Sequence, residues 1–300
     1  MITAREIIEF LGAEVSDVCG PVEGKEVAHL RPSESVDAAT LDWINPAKDG
    51  KQALAEQSRA QVILVDADVA YTDVLRSQGK LLIRARNPKR ALAIVGNRFF
   101  VQRPAPGVHP TAVIDSGARI GSGVFIGAHC SLGACVVGDG SCIYPNVVIH
   151  DGVVVGKNVT IKAGAALGLE GFGFERDEVG NWFKFPQVGR LIVQDNVEIG
   201  ANTCIDRGAL SDTIIGVNTK INNLCHIAHN VIIGNNVIIT GQVNVSGSSV
   251  IEDDVWIGPN ATLRGHQRIE RNAIIGAGAV VTKNVPANET WVGNPARKLK

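Results

Sequence analysis

Seven histidines stand in the 300-residue sequence, and their spacing decides which of them could do chemistry. His29, His109 and His129 are isolated, and a surface or hydrogen-bonded structural role accounts for each. The segment CHIAHN at 225–230, taken together with His266, is different. A neutral imidazole near pH 7 can take the proton of an attacking amine, and the tetrahedral intermediate that follows needs a hydrogen-bond donor for its oxyanion. His229 as base, the uncovered backbone N–H of Gly247 and a second imidazole at His266 would form such an acyl-transfer set. Two plainer readings compete. His229 alone could be a corner imidazole bonded to a neighbouring turn. Alternatively His226 and His229 could join a third histidine around zinc. His226, however, ends its six-residue unit while His229 stands in the middle of one, and no third ligand is evident, so no metal is expected.

Those three residues come together only if a repeat aligns them. Aliphatic residues recur every six positions from Ile215 through Ile221, Ile227, Ile233 and Ile239 to Val281, twelve in succession. An earlier block runs Ile114, Ile120, Ile126 and Leu132, drops one residue, and continues from Val137 to Leu167; Val193, Ile199 and Ile205 keep the step between the blocks. Neither the 3.6-residue period of a helix nor the period of two of a plain strand marks every sixth residue. A hexapeptide repeat does: each hexad is a short strand and a turn, and three hexads close an eighteen-residue triangular coil. The reading is a mainly β protein, a left-handed parallel β-helix over 108–300, with aliphatics stacked inside and Gly, Asn and Asp at the corners. His229 and His266 then fall two coils apart on one side, about 10 Å along the axis, with Gly247 between them.

Composition agrees with a narrow prism. Hydrophobic residues make up 45% of the chain, but the aromatics are only eight Phe, two Tyr and four Trp, against 33 Gly. That apolar content excludes a disordered chain. Basic and acidic residues balance at 29 and 30, which excludes a global field for nucleic acid or an anionic membrane. No apolar run reaches the roughly 18–20 residues of a membrane span. The N-terminus lacks a secretory pattern, and the six dispersed Cys contain no CxxC pair, so reduced thiols and a cytoplasmic location are expected.

Residues 1–107 lack the six-residue step and read as a small N-terminal α/β domain. Helices are expected over 3–12, 51–59 and 88–95, and buried strands over 61–67 and 80–86, with the proline-rich 103–110 segment as linker. Two irregularities interrupt the repeat farther on. Residues 168–192 hold four of the eight Phe and one Trp and must leave the prism as a loop, while RGALSDT at 207–213 stretches one step to ten residues. Rings on a loop need a ligand or a neighbouring subunit to cover them.

The stretch 171–234, with its GFGF loop, PQ-x-G segment, IGANTxIDRGAL run and IAHN motif in order, closely resembles the UDP-3-O-(3-hydroxyacyl)glucosamine N-acyltransferase family of lipid A biosynthesis. The resemblance implies a homotrimer with active sites between adjacent prisms, His229 as general base, Gly247 as oxyanion donor and His266 as second imidazole. It also implies substrate contacts from Phe172, Phe174, Gln187 and Asn222, and a uracil held by Trp43 and Asn45 in a nucleotide-sugar-binding N-terminal domain. The chain departs from the family pattern in carrying INN, with Asn222, where IDN is usual, and in an aromatic-to-Asn spacing one residue short. Its ending, VVTKNVPANETWVGNPARKLK, is similar instead to coenzyme A-dependent sugar acetyltransferases, which implies that its VxGNPAR segment, with Asn294, lies near coenzyme A; Lys283, Arg297, Lys298 and Lys300 would hold its phosphates as point charges.

The function expected is N-acyl transfer from a thioester to the amine of a nucleotide-linked amino sugar, for lipopolysaccharide or surface polysaccharide, with no permanently bound cofactor. Acyl-coenzyme A is the donor the tail favours. The alternative is a lipid A pathway enzyme taking a long 3-hydroxyacyl group from acyl carrier protein, which the aromatic loop favours. A non-catalytic trimeric scaffold that binds nucleotide sugar is the rival from another class.

Overall fold

The computed structural model describes residues 1–299, so Lys300 of the basic tail lies outside the described residues. The chain divides into two compact units, Met1–Arg103 and Pro104–Lys300.

The first unit is built on a four-stranded sheet in the order Val15–Cys19, Leu81–Ala85, Val62–Val65, Leu41–Trp43. The last three strands run parallel, and Val15–Cys19 is an antiparallel edge. All four residues of Val62–Val65 are buried, as a strand covered on both faces requires. Helices occupy Ala4–Leu11, Lys51–Gln57, Asp73–Ser77 and Pro88–Val95. The first begins at a capping box, Thr3 with Glu6, and buries Ile7 and Leu11. The buried amine of Lys80 donates to the carbonyls of Ala55, Glu56 and Ser58 and so fixes the end of the Lys51–Gln57 helix. Leu41–Trp43 is a strand that periodicity does not reveal, because three residues with Asp42 in the middle are too short to show a pattern.

The second unit is a parallel β-solenoid with three faces. Face one runs from Gly107–Val108 to Arg297–Lys298 in eleven strands, face two from Val113–Ile114 to Val280–Val281 in nine, and face three from Arg119–Ile120 to Arg268–Ile269 in eight. Most strands are two residues long, and the second residue of each pair is the one the six-residue step marks. Ile221, Ile227 and Ile233 are each 1% exposed or less and follow one another on the three faces. Stacked coils therefore make one continuous aliphatic core from Val124 to Ala296.

Corner chemistry explains the Asn. The second residue of each turn lies in the left-handed region, and Asn takes that place at 146, 158, 196, 202, 218, 230, 236, 260, 272 and 288. Most L-residues pay about 1–2 kcal/mol there, whereas Asn recovers part of it through local hydrogen bonds. The first turn residue leaves its N–H without a ladder partner, and side-chain oxygens one coil away accept several of these. Val217 N–H donates to Asn235 Oδ1 at 2.8 Å, Asn235 N–H to Asp253 Oδ1 at 2.8 Å, and Ala201 N–H to Asn223 Oδ1 at 2.7 Å.

Both irregular segments leave the coil. Phe174–Arg176 and Trp182–Lys184 pair as an antiparallel hairpin that projects from the end of Ala166–Leu169. The Asp177 carboxylate accepts from the N–H groups of Val179 and Asn181 to close its turn. The 207–213 segment is a tight knot, in which a Cβ on Gly208 would fall 1.6 Å from the Ser211 carbonyl oxygen.

Candidate active site

His229 occupies the corner between faces two and three, directly after the strand His226–Ile227. Its Nδ1 lies 2.9 Å from Asn230 Oδ1. The Asn230 amide cannot be turned round: its Nδ2 donates to the carbonyl and hydroxyl oxygens of Ser211 at 3.0 and 2.8 Å, and its Oδ1 also accepts the Ala209 N–H at 3.0 Å. Oδ1 is thus an acceptor, the proton of the neutral imidazole sits on Nδ1, and Nε2 presents a lone pair. Thr213 Oγ1 accepts the Asn230 N–H and completes the cradle. The inserted segment 207–213 therefore holds the residue that orients the imidazole.

Gly247 stands one coil farther along the same corner. A Cβ there would lie 2.9, 3.0 and 3.3 Å from His229 Cε1, Nε2 and Nδ1, so only glycine leaves room for the ring. Its backbone is not in the left-handed region; the requirement is one of space. At this corner the next residue along the column is Gly265, which has no side-chain oxygen to cap the turn. Among the described residues no acceptor takes the Gly247 N–H, which remains available for a developing oxyanion.

His266 is the left-handed residue of the next coil, φ +61°, with its N–H bonded to the Gly247 carbonyl at 3.1 Å and its side chain exposed. It follows Asn230 and Ser248 in column, so it shares the corner but is one position out of line with His229.

The hairpin closes the other side. A Cβ on Gly171 would lie 2.6 Å from His229 Cβ, 2.9 Å from His229 Cδ2 and 2.7 Å from Gln187 Oε1. The ring thus sits between two glycines, Gly171 and Gly247. Phe172 and Phe174 pack edge to face with centroids 4.9 Å apart and, with Trp182, line an open apolar cleft. Phe172 is 86% exposed and Trp182 62%.

His226 points outward from face two, and its Nε2 lies 3.3 Å from Asp206 Oδ2. The hydrogen bond to the Asp206 carboxylate raises the pKa of His226 above the ordinary imidazole value, against the opposing effect of burial. Among the described residues no group of three or more His, Cys, Asp or Glu is arranged to hold a metal ion.

The remaining candidates lie elsewhere. Asn222 is at the corner between faces one and two, in a groove with Lys162, Lys220 and Tyr144; its Oδ1 accepts the Asn223 N–H, and within one chain it does not meet His229. Trp43 and Asn45 line one cavity of about 300 Å³ in the first unit, together with Asp42, Ser58 and Arg59. Lys283 follows the last strand of face two, whereas Asn294 and Arg297 belong to the turn and final strand closing face one. The basic ending is not a free tail: Arg297–Lys298 pairs antiparallel with Thr290–Val292, and Lys298 Nζ bonds Glu289 at 2.7 Å. The six-residue spacing singles out neither Asn230, although it lies in the IAHN motif, nor Gly171. The signal was the 207–213 segment, which lengthens one six-residue step to ten one coil before the histidine.

A three-faced parallel solenoid with an oriented imidazole at a corner defines the class of hexapeptide-repeat transferases, and the Bacterial transferase hexapeptide (six repeats) family matches residues 134–168 and 248–283. A solved UDP-N-acetylglucosamine acyltransferase from Bacteroides fragilis is 27% identical with a TM-score of 0.58, covering 64% of this chain and 74% of that one. Another UDP-N-acetylglucosamine acyltransferase, also 27% identical, gives a TM-score of 0.60 and covers 64% and 73%. The UDP-3-O-acylglucosamine N-acyltransferase of Methylobacterium nodulans is 50% identical over 137 residues, 46% of this chain, and the match spans only 39% of that relative's length. The protein of the same name from Coxiella burnetii is 37% identical over 249 residues, 76% of this chain and 71% of the relative. The chain belongs to the UDP-3-O-acylglucosamine N-acyltransferase family.

Proposed function

We propose that the protein transfers a 3-hydroxyacyl group from a thioester to the amine of a UDP-linked 3-O-acylglucosamine, in the manner its relatives' names describe. The observation that carries this is the His229 imidazole, protonated on Nδ1 by its bond to Asn230 and packed against Gly247, whose N–H is uncapped.

The amine nitrogen attacks the thioester carbonyl, forming the N–C bond while the C=O electron pair moves to oxygen, where the Gly247 N–H receives it. His229 Nε2 takes the proton lost by nitrogen. Collapse of the intermediate re-forms the carbonyl and breaks the C–S bond, and the imidazolium returns its proton to the leaving thiolate. Such proton transfer is worth about 10²–10⁴-fold in rate.

The family relationship favours acyl carrier protein over coenzyme A as donor, reversing the preference drawn from the C-terminal residues. Their side chains support the same shift, since Lys298 is tied to Glu289 and Lys283 and Arg297 lie on different parts of the last coil. Left-handed winding, a homotrimer, a uracil between Trp43 and Asn45, and Asn222 and His266 as contacts from the trimer cleft all follow from the family likeness and belong to this proposal. The trimer is also supported by the outward aliphatic ladder Val136, Val154, Ile192, Ile214, Ile232 and Val250 on face three.

The test is transfer by the purified protein to UDP-3-O-acylglucosamine, followed by mass spectrometry with 3-hydroxyacyl-acyl carrier protein and 3-hydroxyacyl-coenzyme A in parallel. The amide product with the carrier protein is expected, and its loss in His229→Ala. Full activity in that variant would remove His229 from the chemistry.

A further inference from the structure

Arg207 is half-buried at the start of the 207–213 knot, and only one of the five N–H donors of its guanidinium is spent: Nε donates to the Gly189 carbonyl at 2.7 Å. Among the described residues neither Nη nitrogen has a hydrogen-bond partner, no carboxylate oxygen lies within 4 Å of the guanidinium, and neither Nη is shut off from solvent. Arg190 is the contrast, with Nε and Nη2 both bound to Asp212. The held Nε fixes where the free fork of Arg207 points. Nη2 lies 3.4 Å from the place a Cβ on Gly152 would take, at the corner two coils toward the N-terminus. There the fork opens on a cavity of about 390 Å³ that Arg207 lines with His150, Asp151, Gly168, Leu169 and Glu170. Neither acid engages it. Glu170 is paired with Lys184, and Asp151 Oδ1 accepts the Ala134 N–H at 2.7 Å, on the coil farther from Arg207.

A planar guanidinium held in one orientation and lacking a counter-ion matches the paired oxygens of a phosphate. Arg207 also stands in column with His229. Each is the second residue after the inward aliphatic of its face-two strand, Ile205 and Ile227, which pair in register one coil apart. The free fork therefore opens along the same corner as the base, about 10 Å from it at the spacing of stacked strands. We infer that Arg207, with the imidazole of His150 as a second donor in the cavity, receives the diphosphate of the nucleotide-linked sugar. This rests on the N-acyl transfer reading and assigns the place where that substrate's charge is held. Glucosamine carries its amine on C2 and the diphosphate on C1, so an amine at His229 brings the phosphates to within one sugar's width of it. The other phosphate in the reaction, on the phosphopantetheine arm of a donor, is separated from its sulfur by the whole arm and overshoots that spacing. No bond is made or broken at Arg207, which binds charge and sets the register of the sugar against the base.

Two variants separate this role from a structural one. Arg207→Met removes the fork together with the Nε bond. Gly152→Asp leaves Arg207 and its bond to Gly189 in place and sets a carboxylate against Nη2; the corner accepts it, since Asp254 holds the same turn position at φ +62°. Binding of UDP, uridine and phosphopantetheine is followed by titration calorimetry and by the phosphorus NMR signals of the ligands. In the unmodified protein UDP should bind more tightly than uridine, with both of its phosphorus signals broadened. Loss of hydrogen bonds between charged groups should raise the Kd for UDP about 10–100-fold in each variant, with the Kd for uridine within about twofold and the Tm of Gly152→Asp no lower. UDP bound equally well by Gly152→Asp, UDP no tighter than uridine in the unmodified protein, or broadening of the phosphopantetheine signal in place of UDP would each overturn the assignment. The measurement involves no acyl transfer, so a protein that binds UDP through Arg207 yet forms no amide would remove the N-acyl reading and leave the diphosphate site standing.

Discussion

His229 and Asn230 act as one unit: adjacent residues whose side chains meet at 2.9 Å, Nδ1 to Oδ1, across a left-handed corner. The arrangement needs that corner, because the φ of +61° at Asn230 turns its side chain back onto the preceding ring. Replacing Asn230 with Gly keeps the backbone conformation and deletes the anchor. The imidazole would then be free to rotate or exchange tautomers, and a positional loss of that kind costs about 100-fold in kcat. Steady-state kinetics of Asn230→Gly should show this loss with little change in KM.

Gly247 gives a second, independent handle on the same ring. Alanine is conformationally acceptable at its backbone, yet its Cβ would fall 2.9 Å from His229 Cε1. The half-buried corner can absorb the methyl by a rotation of the imidazole, so Tm should change little. On the proposed mechanism the base would then be displaced from beside the oxyanion donor, and kcat of Gly247→Ala should fall about 10²–10³-fold, the range seen when an oxyanion donor or its geometry is lost. An unchanged kcat would mean that the ring has space to adjust without cost.

Much of the fold was written in the residues themselves. The six-residue step from Ile215 to Val281 reports a real physical constraint, because each marked side chain must fit a triangular interior. That is why Ile221, Ile227 and Ile233 can be assigned inward without coordinates. His229 and Gly247 were legible for the same reason, as a constant eighteen-residue coil converts sequence distance into spatial neighbourhood. What was not legible lies where the coil is left. The bond of Asn230 to Ser211 and Ala209, and the approach of Gly171 to His229, depend on the path of two insertions that no period describes. Nor does charge alone show that Lys298 of the basic ending has a partner in Glu289.

The prism core can be tested away from the site. Ile239 is 1% exposed and stacks between Ile221 and Ile257 on face one. Truncation to alanine leaves a void that two-residue strands, hydrogen-bonded to both neighbouring coils, cannot collapse to fill. Ile239→Ala should lower stability by about 2–5 kcal/mol in urea denaturation. A smaller loss would show that adjacent coils relax into the cavity.

The pair formed by His226 and Asp206 carries a pH dependence whose sign follows from its geometry. The carboxylate favours the imidazolium, so the pKa of His226 is raised in the folded protein above its unfolded value. Stability contributed by the pair is therefore fully present below the ordinary imidazole pKa of about 6.5 and is lost as pH rises through the higher folded value. Half of the imidazole faces solvent, which screens the interaction and keeps the effect modest. Asp206→Asn should lower Tm at pH 5.5 and have a smaller effect at pH 8.5. In the same variant the titration of the His226 ring proton, followed by NMR, should move to lower pH. A midpoint that does not move would show that Asp206 is not the group holding the proton on His226.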